Sequence, residues 1–124
     1  MIEASNLSRR YGTLRAVDGL SFAVPKGAVC GFLGPNGAGK STTIRMIAGL
    51  FAPDSGRLLV GGVDATRDPL GVRAQVGYLP ESTALYPELR VEEYLNFRAG
   101  LMGLSTGAIQ SAIKRTVDAC GLGD

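Results

Sequence analysis

The apolar and polar positions divide the chain into a strand-like first part and a helical last part. Ile2 to Leu7 and Leu20 to Val24 carry strand-type apolar content, with Gly12-Thr13 and Asp18-Gly19 as turn signals. Pro25-Lys26-Gly27 marks a further turn. Ala28 to Leu33 is a short run, apolar on both faces, as expected of a strand buried in a parallel sheet. Then the period changes. From Ser41 to Leu50, Ile44, Met46, Ile47 and Leu50 lie close to helical spacing, and Gly49 and Pro53 stand near the stop. Pro53-Asp54-Ser55-Gly56 is a turn, and Arg57 to Val63 is strand-like. Asp68 and Pro69 open a short helix to Gln75, with Asp68 as its cap and Pro69 in the first turn. Val76 to Leu79 is a short strand that Pro80 stops.

Residues 81–90 form a loop containing Pro87, and two helices follow. In the first, Val91, Tyr94, Leu95 and Met102 share one face, and Glu92 and Glu93 suit its positive N-terminal end. In the second, Ser105 caps the start, and Ile109, Ala112, Ile113, Val117 and Cys120 form a stripe. Gly121 suits its stop. Such stripes predict packing against a core or partner helix rather than a cofactor site. No internal repeat or low-complexity segment is visible.

The chemistry lies between the apolar run and the first helix. Gly34-Pro35-Asn36-Gly37-Ala38-Gly39-Lys40-Ser41-Thr42 fits the phosphate-loop pattern G-x-x-x-x-G-K-[ST] at every fixed position. A nucleotide triphosphate presents a dense cluster of negative oxygens. Glycines let the backbone curl so that successive N–H groups point at that charge. Lys40 adds a compact positive charge for the outer phosphates, and the Ser41 hydroxyl suits a Mg²⁺ that bridges two of them. The helix that follows turns its positive end toward the same place. A Gly-rich turn that contains Lys-Ser by chance is the bland alternative. It leaves the strand–loop–helix order unexplained.

Two other residues invite a functional reading. Tyr11 is a lone aromatic at a strand end before a glycine. It is placed either to stack on a base or to pack half-buried on the sheet. Asp64, ending Val60-Gly61-Gly62-Val63-Asp64, is tempting as a Mg²⁺-side aspartate. Two glycines break its apolar run and no acidic residue follows it, so that role is rejected.

Bulk properties narrow the class. A chain of 124 residues suits one domain, and 45% hydrophobic with 19% charged residues is ordinary for a soluble globular protein. The formal net charge of +2 is too small to argue for nucleic acid. The basic residues are dispersed, and the adjacent pairs Arg9-Arg10 and Lys114-Arg115 fit a solvated face. No apolar run approaches the roughly 18 residues of a membrane span, and the first residues do not resemble a signal peptide. The two cysteines, Cys30 and Cys120, come without any histidine and make no recognisable zinc site. Both are expected as small buried apolar residues.

Taken in order, three pieces resemble the ATP-binding subunits of ABC transporters. They are Arg10-Tyr11-Gly12 with Ala16-Val17-Asp18-Gly19-Leu20-Ser21-Phe22, then Gly34 to Thr43, then Pro53-Asp54-Ser55-Gly56 with Gly61, Asp64 and Val76-Gly77-Tyr78-Leu79-Pro80-Glu81. Residues 85–95, Leu85 to Leu95, resemble exporter subunits of the drug- and polysaccharide-export kind. The resemblance implies an α/β, P-loop NTPase fold of the ABC ATPase type. Its parts would be an antiparallel β subdomain, a P-loop core and, from about residue 88 to 124, the start of a helical subdomain. Residues 1–124 would be the N-terminal portion of one such domain.

The resemblance also implies roles and partners. Tyr11 takes the place of the aromatic that stacks on adenine, and Val17 that of a residue touching the same ring. Gly34, Pro35, Asn36, Gly37, Ala38, Gly39, Lys40, Ser41 and Thr42 hold the phosphates of ATP, and Lys40 is the one catalytic residue implied within the chain. Ser41 and Glu81 serve Mg²⁺. Glu81 departs from the pattern, since most of the family has Gln there; glutamate still offers oxygen but adds negative charge. The signature L-S-G-G-Q, an apolar strand ending in Asp-Glu and a switch histidine do not occur in this sequence. A second ATP-binding subunit and a membrane permease, met near residues 81–95, are the implied partners. The cytoplasmic face of the cell membrane is the implied location, and no nucleic acid is expected. The alternatives are a soluble ABC protein of translation or DNA repair, and a non-catalytic nucleotide-binding fragment. A small-molecule kinase is disfavoured by the long β region before the loop, and a GTPase by the lack of an Asn-Lys-x-Asp motif.

Overall fold

The computed structural model describes residues 1–83 and 85–122. They form two compact units, Met1–Leu79 and Pro80–Asp124.

The first unit is built on a four-stranded sheet of order β2-β1-β3-β4, antiparallel throughout. Strands β1 (Ile2–Tyr11) and β2 (Leu14–Val24) are a hairpin closed at Tyr11↔Leu14, so both run longer than their apolar content alone predicts. Asp18-Gly19 is not a turn. From the pair Leu7↔Leu20 to the pair Arg9↔Val17, β1 advances two residues while β2 advances three. The extra residue is absorbed as a bulge within β2. Val17, Leu20 and Phe22 stay buried or half-buried on either side of it, and that burial keeps the strand going.

The strand expected over Arg57 to Val63 is a second hairpin. Strand β3 (Ser55–Val60) turns at Gly61-Gly62 into the two-residue β4 (Val63–Asp64), with Val60 opposite Val63. Both glycines have positive φ, +58° and +85°. A two-residue loop of that hand matches the twist of its strands, and side chains would oppose it.

Helix α1 (Lys40–Ile47) and helix α2 (Pro69–Arg73) cover the sheet. Ala4, Leu7, Val17, Met46, Leu58, Val60, Ala65 and Val72 make one buried cluster. Fully burying a side chain such as Leu7, Met46 or Leu58 contributes about 1.5–3 kcal/mol. Asp68 caps α2 as expected, its carboxylate accepting from the Gly71 amide at 2.8 Å. Arg73 Nε donates to the Gly49 carbonyl at 2.9 Å and ties α2 to the end of α1.

Two expected strands do not form. Residues 28–33 and 76–79 make no ladder with any described strand. Val29 is fully exposed, Leu33 is 93% exposed and Leu79 is 86% exposed. A strand exists only through its neighbours, and neither run pairs with the edge strands β2 or β4. Cys30 lies in the first run and is therefore exposed, against the expectation of a buried thiol. Phe32 alone finds cover there, its ring 5.8 Å from that of Phe22.

The second unit holds α3 (Val91–Leu101) and α4 (Thr106–Cys120). Glu93 closes the start of α3, its carboxylate accepting from the Arg90 amide at 2.8 Å. Ser105 occupies the cap position of α4 without a side-chain capping bond, and Gly121 ends the helix in the left-handed conformation. Ile113 is the buried residue of the α4 stripe, with Ile109, Ala112 and Val117 half-buried. Tyr94 and Leu95 are the half-buried part of the α3 face, and Val91 and Met102 are exposed. Cys120 is exposed as well. At 15 residues against 11, α4 is longer than α3. Among the described residues no helix is long and apolar enough to cross a membrane.

Candidate nucleotide site

The phosphate loop stands exposed from Gly34 to Ala38 and enters α1 at Gly39. Two features fix its shape. Gly39 adopts φ +81°, and a Cβ placed there would collide with the Ala16 carbonyl of β2. Val17 Cγ2 lies 3.1 Å from that same point. Glycine is therefore required twice at position 39, for its backbone angle and for the close approach to β2. Thr43, 1% exposed, anchors the start of α1 in the core, and its amide donates to the Gly39 carbonyl at 2.8 Å.

Lys40 folds back over the loop. Its Nζ donates to the carbonyl oxygens of Gly34 at 2.6 Å and Pro35 at 2.7 Å. An ammonium has three donors in all, so the ion is held above the loop with donor capacity to spare. At the start of α1 no side chain caps the helix, and its first turn carries no acidic residue. The positive end of the helix is thus left uncompensated by the protein. Ser41 is exposed in this first turn and Thr42 is half-buried. The exposed loop, the Lys40 ammonium and the Ser41 hydroxyl thus lie together at the open start of α1. Among the described residues no group of three or more His, Cys, Asp or Glu could hold a metal ion by itself.

Tyr11 ends β1 and is 41% exposed. Its ring meets Phe51 edge-on at 6.3 Å, and the Arg9 guanidinium lies 5.4 Å from its centroid. Arg9 is not the solvated residue expected of an Arg-Arg pair. It is ion-paired with Asp54 at 2.7 Å, and its side chain is only 25% exposed. The sequence did carry one signal for this. Arg9 and Tyr11 are two apart on a strand and so share a face. Phe51 and Asp54, distant in sequence, gave none.

Val17 lies in the core at 6% exposure, behind Gly39. Glu81 is exposed in the second unit. Asp64 organises a turn, accepting from the amides of Thr66 at 3.0 Å and Arg67 at 3.4 Å and from Arg57 Nε at 3.4 Å. The Thr66 amide is the main cause holding its carboxyl below the usual carboxylate range; partial desolvation opposes it, and Arg57 and the Arg67 amide reinforce it. These bonds account for Asp64 without any metal.

Residues 17–124 match the family of ABC transporters. The chain belongs to that family. The ABC chain is 43% identical over 122 residues to the "Probable multidrug ABC transporter ATP-binding protein YbhF" of Escherichia coli (strain K12), covering 98% of this chain and 21% of that protein. It is 40% identical to the linearmycin resistance ATP-binding protein LnrL of Bacillus subtilis (strain 168), covering 98% of this chain and 39% of the relative. With the daunorubicin/doxorubicin resistance ATP-binding protein DrrA of Streptomyces peucetius it shares 43% identity, covering 99% of this chain and 37% of DrrA. The chain thus spans about a fifth to two fifths of the length of these relatives. Among solved structures, an ATP-binding subunit of an ABC transporter superposes with a TM-score of 0.72 at 38% identity, covering 86% of this chain and 44% of that one. The bacterial ABC transporter cassette MJ0796, solved as a dimer, superposes with a TM-score of 0.79 at 20% identity, covering 95% and 55%; that likeness is one of fold. The α/β architecture with its antiparallel sheet is therefore that of part of an ABC ATPase domain.

Proposed function

We propose that this chain carries the nucleotide-binding front of an ATP-hydrolysing subunit that energises an ABC transporter, an exporter in keeping with the export ATP-binding proteins among its relatives. The observation that supports this best is the Lys40 ammonium, held over the loop carbonyls beside an uncapped helix start. Loop residues 34–42 cradle the phosphates of ATP. Lys40 balances the charge of the outer phosphates, and moves from the Gly34 and Pro35 carbonyls toward them. Tyr11 stacks on the base. Val17 acts through Gly39, bracing the loop rather than touching the ring. Ser41 would hold Mg²⁺, and the ion would supply charge neutralisation along the phosphates; the Glu81 carboxylate stays a candidate oxygen donor within its own unit. The acid that activates water is not assigned to any residue here.

In the same reading the subunit pairs with a second ATP-binding subunit and meets a membrane permease through residues 81–95. That places it at the cytoplasmic face of the membrane, without nucleic acid. Binding of Mg²⁺-ATP to the subunit that carries this chain tests the reading, with Lys40→Ala beside it. Loss of affinity in the variant supports it. Equal affinity would mean that ATP is bound elsewhere.

A further inference from the structure

Arg9 is held from two directions. Its guanidinium carbon lies 5.4 Å from the Tyr11 ring centroid and 5.9 Å from that of Phe51. One terminal nitrogen donates to Asp54 Oδ1 at 2.7 Å and to the Ala52 carbonyl at 3.0 Å. The second Asp54 oxygen accepts from the Arg10 amide at 2.7 Å, so Asp54 is itself fixed to β1. Arg9 Nε is buried and has no hydrogen-bond acceptor among the described residues. A buried donor without an acceptor is unfavourable, and here the aromatic neighbours, attracted to the cation, offset it. The guanidinium is therefore a fixed plate beside the Tyr11 ring, anchored to the turn that follows α1.

We propose that Arg9 is a positioning residue for nucleotide binding, one that presets the Tyr11 ring for the incoming base. The inference rests on the reading of Tyr11 as the base-stacking residue. A ring free to rotate loses that freedom when a base settles on it, which weakens binding; a ring already held does not. The planar, delocalised guanidinium suits this task, whereas an ammonium offers only a point charge. Arg9 touches no phosphate-loop residue in any described hydrogen bond, so its effect falls on the base and spares the phosphates.

The test compares two probes, ATP and inorganic tripolyphosphate, by calorimetry on the full subunit that carries this chain. Arg9→Ala is expected to weaken ATP binding about three- to fivefold, the worth of one cation–π contact, and to leave tripolyphosphate binding unchanged. Arg9→Lys recovers part of the loss. In a Tyr11→Ala background, Arg9→Ala adds no further loss. Equal losses for both probes, or an undiminished Arg9→Ala effect without Tyr11, would overturn the proposal and leave a structural clip only. Should Arg9→Ala fail to fold, Asp54→Asn removes the anchoring charge while keeping the side-chain shape. A folded Asp54→Asn protein with unaltered ATP affinity also overturns it. If Tyr11→Ala leaves ATP binding intact, the base-stacking reading fails first. If Tyr11→Ala weakens binding and Arg9→Ala does not, the positioning role alone fails.

Discussion

The Lys40 ammonium and the Gly34 carbonyl oxygen, at the two ends of the phosphate loop, stand 2.6 Å apart. The loop is thereby closed on itself by the same charge that the proposed function assigns to the nucleotide. Replacing Lys40 removes both. Lys40→Ala is expected to weaken ATP binding by roughly 1.5–3 kcal/mol, the worth of a charged hydrogen bond, and to abolish hydrolysis by the subunit. Lys40→Arg fails as well, because a planar guanidinium does not fit over two adjacent carbonyls as a compact ammonium does. Phosphate release under saturating Mg²⁺-ATP checks both. Turnover at the wild-type rate in Lys40→Ala would remove the loop from the mechanism.

Gly39→Ala tests the seat of the loop on β2. The added methyl group meets the Ala16 carbonyl, and the left-handed backbone angle is strained for alanine. Together these cost roughly 2–4 kcal/mol of stability. Urea melts of the subunit read that loss. An unchanged midpoint would show that α1 is free to move off the sheet.

Stacking on Tyr11 tolerates any base, since every base has a π-face. ATP and GTP are therefore expected to bind within about tenfold, or ~1.4 kcal/mol, of each other. Competition between the two nucleotides measures the ratio. A strong preference for GTP would contradict the assignment of Tyr11.

Asp64 gives the fold a pH dependence. Its folded carboxyl titrates below the unfolded one, so the unfolded state takes up the proton first as pH falls. Its contribution is complete above the unfolded value, about pH 4, and is lost as pH falls through the folded value. Asp64→Asn should then be less stable than wild type at pH 7, with the gap narrowing below about pH 4. Denaturant melts at several pH values report the gap. A gap that stays constant down to pH 3 would assign the stabilisation to hydrogen-bond shape rather than to charge.

The sequence disclosed features made by neighbours in the chain. The phosphate loop is nine consecutive residues, α2 begins at the Asp68–Pro69 pair, and Gly121 stops α4; each carries its own local cause. It misled where a distant partner decides. Asp18-Gly19 has turn chemistry, yet the burial of Val17 and Leu20 against the core keeps it inside a strand. Ala28 to Leu33 has strand composition, yet it pairs with no described strand and so forms none. Arg9 has the look of a surface residue, and only Phe51 and Asp54, more than forty positions away, take it out of solvent.

The bare run at 28–33 bears on the loop that follows it. The phosphate loop is moored firmly at its far end, through Gly39 and Thr43, while its near end continues into backbone with no ladder bonds. At that near end the ties are the Lys40 bonds to the Gly34 and Pro35 carbonyls, which reach back from α1. A ligand that draws Lys40 away would undo them, and the near end of the loop would then rest on the bare run alone.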